Sequence, residues 1–284
     1  MANLRKFWSA VFLCFSFAAM SVGAGLAQTT GQTAGQGPEL AGIAHAAIRV
    51  SDLGKSRDFY EKLGFEEAFA MHQGGVPTQS FIKINDRQFI ELYPQREASQ
   101  TIGFMHVCFE ASDLEGLNRF YLSADMKPNA VRRAGAGNLL FTMVGPENQN
   151  IEYTQYMAGS KHTNDRGKHL GAHRISEEIV AVGITMQDPA AAVSFYKQKL
   201  EFTAAHGWNA GPGWLSLPGG SGQLVEMEQQ ASGAVFQLYF SVADLRRAGK
   251  QLKALGMTAE KHQAGLSVLD PDGNRIVFVK AKPV

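Results

Sequence analysis

Four residues of this 284-residue chain combine reactive side chains with regular spacing. His45 precedes Glu91 by 46 positions, and His106 precedes Glu152 by the same 46. Each histidine sits in an apolar run, Ile43-Ala44-His45-Ala46 or Met105-His106-Val107-Cys108. Each glutamate sits in an alternating one, Phe89-Ile90-Glu91-Leu92 or Asn150-Ile151-Glu152-Tyr153. In strands of that pattern the glutamates face inward, where an unpaired carboxylate is costly. A lone histidine in an apolar strand is ordinarily a core or surface residue, and a lone inward glutamate is ordinarily salt-bridged. A duplicated fold, however, needs no ionisable residue at two separate inward positions. Two imidazoles and two carboxylates converging in a pseudo-twofold cavity form a site for one divalent metal ion, with Zn, Ni, Co, Mn and Fe all open.

The elements that position these residues recur. In the first half, His45 leads by seven residues to Asp52 and by seven more to Phe59-Tyr60; His106 leads likewise to Asp113 and Phe120-Tyr121. Weaker copies run from Val182 to Asp188 and Phe195-Tyr196, and from Leu238 to Asp244 and Leu255. Each unit opens with an apolar strand ending at an Asp suited to cap the following helix. The first helix stops at Leu63-Gly64-Phe65 with Gly64 in the C-terminal capping role, and Leu200-Glu201-Phe202 ends the third. Strands are expected over 80–84, 88–93, 139–144, 150–156, 222–227 and 275–280. The expected fold class is therefore α+β: two tandem domains, each a pair of βαβββ modules forming a curled mixed sheet with helices outside. The domains fall at 40–157 and 178–284, with a polar connector over 158–177.

The second half keeps the frame without the ligands. Counting from Asp188 and Asp244 puts Ala181 at the His45 position and Gln237 at the His106 position. Glu226 stands where Glu91 does, and Val277 where Glu152 does. One Glu and one Gln are too few to hold a metal, so this domain is read as degenerate, structural or closing the first cavity.

Residues 1–27 read as a secretory signal peptide: Arg5 and Lys6, an apolar run over 7–22, then Gly25-Leu26-Ala27. Residues 28–39, Gly-rich and almost uncharged, read as a flexible linker. Export to the periplasm or medium follows, with no membrane association after cleavage. The shortened chain would carry 25 Lys and Arg against 26 Asp and Glu, no basic surface for nucleic acid. It would also keep Cys108 alone, a buried core residue rather than a disulfide partner.

The four units in register, with His45, Glu91, His106 and Glu152, resemble the vicinal oxygen chelate superfamily of glyoxalases, bleomycin-resistance proteins and extradiol dioxygenases. The resemblance spans about residues 41–282, and the four-ligand set is most similar to bacterial glyoxalase I. It implies a metal-dependent lyase or isomerase moving a proton on a small substrate with neighbouring oxygens. Glu152 and Glu91 would be the catalytic carboxylates. The exported location argues against a cytosolic glutathione adduct as substrate. The same resemblance leaves two alternatives: an Fe(II) ring-cleaving dioxygenase and a non-catalytic small-molecule binder. Extradiol enzymes use two His and one Glu, and in two-domain forms their metal usually lies in the C-terminal pair, here the degenerate one. Some relatives complete the site between two subunits, which makes a homodimer a possible partner arrangement.

Other features carry less. Arg132 and Arg133 lie near the expected rim, where either would meet an anionic substrate or remain a solvated charge. His162, His169 and His173 accompany Lys161, Arg166, Lys168 and Arg174 in the connector, which is read as solvated rather than metal-binding. Alternation along the strand after Glu152 turns Tyr156 toward the cavity and Tyr153 away, with core packing the expected role of both.

Overall fold

The structure, a computed structural model, describes residues 38–206, 211–229 and 236–280. The expected signal peptide and all but the end of the linker lie outside the described residues.

Two eight-stranded mixed sheets make up the fold, each from two βαβββ modules. The first module comprises β1 (Leu40–Val50), α1 (Leu53–Lys62), β2 (Glu66–Gln73), β3 (Val76–Lys83) and β4 (Phe89–Pro94). The second comprises β5 (Gly103–Ala111), α2 (Leu114–Ser123), β6 (Arg132–Arg133), β7 (Leu139–Val144) and β8 (Asn150–Gln155). Their order in the sheet is β2-β3-β4-β1-β5-β8-β7-β6. Strands β1 and β5 pair antiparallel at its centre, each flanked by a parallel partner, β4 or β8. After the short α3 (Lys161–Asn164) the plan repeats. The third module holds β9 (Ile179–Met186), α4 (Pro189–Lys199), β10 (Thr203–Ala204), β11 (Trp214–Ser216) and β12 (Leu224–Gln229). The fourth holds β13 (Gln237–Val242), α5 (Leu245–Ala254), β14 (Glu260–His262), β15 (Gly265–Leu269) and β16 (Arg275–Lys280).

The four long helices begin and end alike. Asp52, Asp113, Asp188 and Asp244 each accept the backbone N–H three residues on, satisfying one of the helix's orphan donors. At the other end Phe65 N–H returns to Tyr60 O and Gly64 N–H to Glu61 O, the paired bonds of a left-handed C-terminal cap. Gly64, Asp125, Glu201 and Gly256 hold this positive-φ place in the four modules, at φ of 87°, 58°, 60° and 74°. Only the two glycines adopt it without steric cost.

The sheets are joined by contacts that come in mirrored pairs. Ile179 N–H donates to Gln88 Oε1 at 2.8 Å, and Ile43 N–H to Gln223 Oε1 at 2.6 Å. Asp272 accepts Ser51 N–H at the start of α1, while Glu147 accepts Gln187 and Asp188 N–H at the start of α4. Phe65 stacks on Phe240 at 5.3 Å, and Phe202 meets Phe109 edge-on at 5.5 Å. One apolar core runs through both halves as a result.

The connector keeps to the solvated reading at Lys161, Arg166, Lys168, His169 and His173, which are exposed, and departs from it at four polar residues. Ser160, His162 and Asp165 are buried where Asp165 accepts at its carboxylate (2.8 Å) and its backbone carbonyl (2.6 Å) from Lys83 Nζ, and Ser176 is buried where its hydroxyl donates to Ser241 O at 2.7 Å. Lys83 is fully buried in β3, and this ion pair draws the segment onto the first sheet. His169 caps the cluster with Nδ1 at 2.6 Å from Asp165 Oδ1.

Candidate metal centre

Four neighbouring strands deliver the four expected residues. His45 lies on β1, Glu91 on β4, His106 on β5 and Glu152 on β8, and all are buried. The register explains their meeting: Ala47 faces both Glu91 and His106 across the strand pairs, while Cys108 faces both His45 and Glu152.

Three side-chain atoms form a triangle. His45 Nε2 is 3.1 Å from His106 Nε2 and 3.4 Å from Glu152 Oε1, and His106 Nε2 is 4.0 Å from the same oxygen. A point equidistant from the three lies about 2.1 Å from each, the length of a divalent metal's bond to imidazole nitrogen or carboxylate oxygen. Two imidazole nitrogens edge to edge share at best one proton, whereas a cation between them uses both lone pairs. His45, His106 and Glu152 are thus a donor group fit for one divalent metal ion. Glu91 stands outside the triangle, its Oε1 3.4 Å from His45 Nδ1. There it fixes the ring so that Nε2 points at the other two ligands, the usual service of an outer carboxylate. Tyr93 OH and Gln79 Nε2 donate to Glu91 Oε2 at 2.9 and 3.2 Å.

The electrostatics agree with this division. Burial draws the His45 pKa down, but Glu91 and Glu152 outweigh it and leave it above the ordinary value. Burial holds His106 well below its ordinary value, so it presents a neutral lone pair. Burial opposes ionisation of Glu152, yet the two imidazoles pull its carboxyl well below the usual range. Burial raises Glu91, and the charge of Glu152 adds to it against the pull of His45.

The cavity at this site, about 230 Å³, is lined by His45, Glu91 and Glu152 and also by Arg132, Tyr156 and His162. Arg132 therefore reaches the site, whereas the neighbouring Arg133 turns to the Gly137 carbonyl. Tyr156 lines the cavity and donates to Arg87 O, while Tyr153 is buried in the core against Tyr121. Gln79 and Tyr93 are absent from the sequence reading, and His162 enters it only as part of a solvated connector, not of this cavity. Tyr93 follows Glu91 by two residues on one strand, so alternation alone places it on the same face. His162 had no such signal.

The second sheet shows what replaces the site. Its register sets Ala181, Glu226, Gln237 and Val277 at the four ligand positions, as the spacing predicts. Tyr239 occupies the place of Cys108, fully buried, with its hydroxyl on Glu226 Oε2 and its ring edge-on to Trp214 at 5.2 Å. Gly183 stands in place of Ala47, and a Cβ there would come 3.0 Å from Gln237 Cβ and 3.3 Å from Tyr239 Cε2. The Tyr239 phenol, with the Trp214 indole against it, stands where the first sheet has only the Cys108 thiol.

Comparison with known proteins places this architecture. The family model for the Glyoxalase/Bleomycin resistance protein/Dioxygenase superfamily matches residues 42–150 and 178–278. Among solved structures, the 2,3-dioxygenase LapB from Pseudomonas sp. KL28 superposes with a TM-score of 0.65 at 13% identity, covering 87% of this chain and 94% of that one. An extradiol ring-cleaving dioxygenase from B. fuscum gives 0.65 at 15% identity, over 87% and 73%. The Mn(II)-bound glyoxalase from Novosphingobium aromaticivorans gives 0.64 at 14%, over 86% and 83%. A search of curated proteins finds no match.

Proposed function

Because the chain belongs to the Glyoxalase/Bleomycin resistance protein/Dioxygenase superfamily, we propose that its first sheet is a metal-dependent enzyme site transferring a proton on a small substrate with two neighbouring oxygens. The observation that carries this is the triangle of His45, His106 and Glu152 with a second carboxylate beside it. A divalent ion held there supplies Lewis acidity, stabilising negative charge that develops on the substrate oxygens. The chain's residues divide the remaining work. His45, His106 and Glu152 hold the ion. Glu91 orients His45 and, as the carboxylate outside the triangle, accepts the substrate proton. Tyr93 and Gln79 fix the Glu91 carboxylate, which preserves the aim of a general base. Arg132 meets an anionic group of the substrate at the cavity. Export is proposed with this activity, on the strength of the leader pattern over 1–27.

A second reading has a specific observation in its favour. Two histidines and one carboxylate are also the ligand set of non-haem iron oxygenases, and two of the structures named above are dioxygenases. Metal analysis and two assays separate the readings. Purified protein is expected to hold one metal per chain, to lose it in His106→Ala and to keep it in Gln237→Ala. Exchange of the carbon-bound proton of hydroxyacetone in deuterated water supports proton transfer. Oxygen uptake with catechol on iron-loaded protein, without that exchange, supports the dioxygenase. Absence of metal from the wild type, or equal loss in both variants, refutes the site.

A further inference from the structure

The four-residue α3 puts one group into the cavity that the proposed reaction leaves unused. His162 is 5% exposed and lines the same cavity as His45 and Glu152. Its ring is held edge-on by Phe69, Phe81 and Phe89 at 5.0, 5.3 and 4.8 Å, with Tyr156 at 5.2 Å. The short helix cannot drift: Ser160 caps it, Lys161 N–H is tied to Ala136 O at 2.8 Å, and Asp165 is clamped by Lys83.

The hydrogen bonds settle which nitrogen carries the proton. Asn138 Oδ1 accepts Met157 N–H at 3.1 Å, so the amide turns its Nδ2 toward His162 Nδ1, 2.9 Å away. An amide nitrogen only donates; His162 Nδ1 therefore accepts, and the proton of the neutral ring is on Nε2. Burial keeps the ring neutral, with its pKa pushed down to about 3. His162 Nε2 is buried and has no hydrogen-bond partner. A buried donor left without an acceptor is costly and calls for an explanation.

We propose that His162 Nε2–H is a specificity determinant of the first cavity, donating to a third oxygen of the bound molecule. The proposal rests on the metal-dependent reading above and narrows it. The ligand class becomes small oxyanions with two neighbouring oxygens for the metal and at least one further oxygen for His162, with Arg132 balancing the charge.

Two probes of Zn(II)-loaded protein, a diamagnetic state, test this. Oxalate offers oxygens beyond a chelating pair, whereas acetohydroxamate offers only the pair. His162→Phe keeps the aromatic packing and removes the donor. It is expected to weaken oxalate about tenfold while leaving acetohydroxamate and metal content unchanged. In wild-type protein labelled with ¹⁵N-histidine, the His162 Nε2–H signal is expected to shift with oxalate and not with acetohydroxamate. That measurement decides the matter should the variant fold poorly. Equal effects on both probes, or none on either, would overturn the proposal while metal content stays at one per chain. A wild-type chain that takes up no metal would overturn the proposed function and this inference together.

Discussion

The packed second sheet holds a carboxylate whose ionisation works against folding, and Glu226→Gln exposes it. Glu226 is 5% exposed. Burial pushes its pKa from 4.5 up to about 7, with Glu228 adding to the rise and the Tyr239 hydroxyl opposing it. A group that holds its proton more tightly when folded contributes stability at low pH. That contribution is complete below the unfolded value near 4.5 and is lost as the pH climbs through about 7. At about 1.4 kcal/mol per unit, the loss reaches about 3 kcal/mol by pH 8. The substituted amide cannot ionise, while its oxygen still accepts from Tyr239. The variant should therefore match the wild type near pH 4.5 and exceed it by up to about 3 kcal/mol at pH 8. Urea unfolding at both pH values measures this, since the difference between the two proteins cancels other titrating groups. A difference that is equal at the two pH values would refute the reasoning, as would one that favours the wild type at pH 8.

Three further outcomes follow from packing. Glu201→Gly relieves a left-handed residue with a side chain and should stabilise by about 1 kcal/mol, read as a raised thermal midpoint. The same change at Glu115, inside α2, should destabilise. Lys83→Met strips the buried partner from Asp165 and should cost about 3 kcal/mol; faster amide exchange over residues 158–177 would accompany it, and unchanged exchange would show that the ion pair does not hold the connector. Glu147→Ala removes the acceptor for two N–H groups at the start of α4 and should cost about 1 kcal/mol by denaturant titration.

Duplication made much of this legible. His45, Glu91, His106 and Glu152 stood out because one spacing occurred twice, and the register brings their strands side by side. The capping aspartates and Gly64 were readable because helix ends draw on few residue types. The expected strands over 139–144 and 275–280 coincide with β7 and β16. Strands such as β10 (two residues) and β14 (three residues) are too short to show a period. His162 was hidden for another reason. Its segment is polar and charged, and what buries it is a contact between Lys83 and Asp165, 82 residues apart. A charged residue amid Phe81, Ile82 and Ile84 was the available hint, since such a lysine requires a partner. Nothing local names that partner.

The mirrored contacts between the sheets bear on how a molecule reaches the first cavity. Gln88 and Gln223 stitch one region of the seam, and Glu147 and Asp272 stitch another. Two phenylalanine pairs, Phe65 on Phe240 and Phe202 on Phe109, close the seam with apolar contact. A seam fastened at several places resists the swing by which many two-lobed proteins admit their guests. A guest then enters through the mouth itself, past the exposed Arg132 that lines it, rather than through a parting of the two sheets.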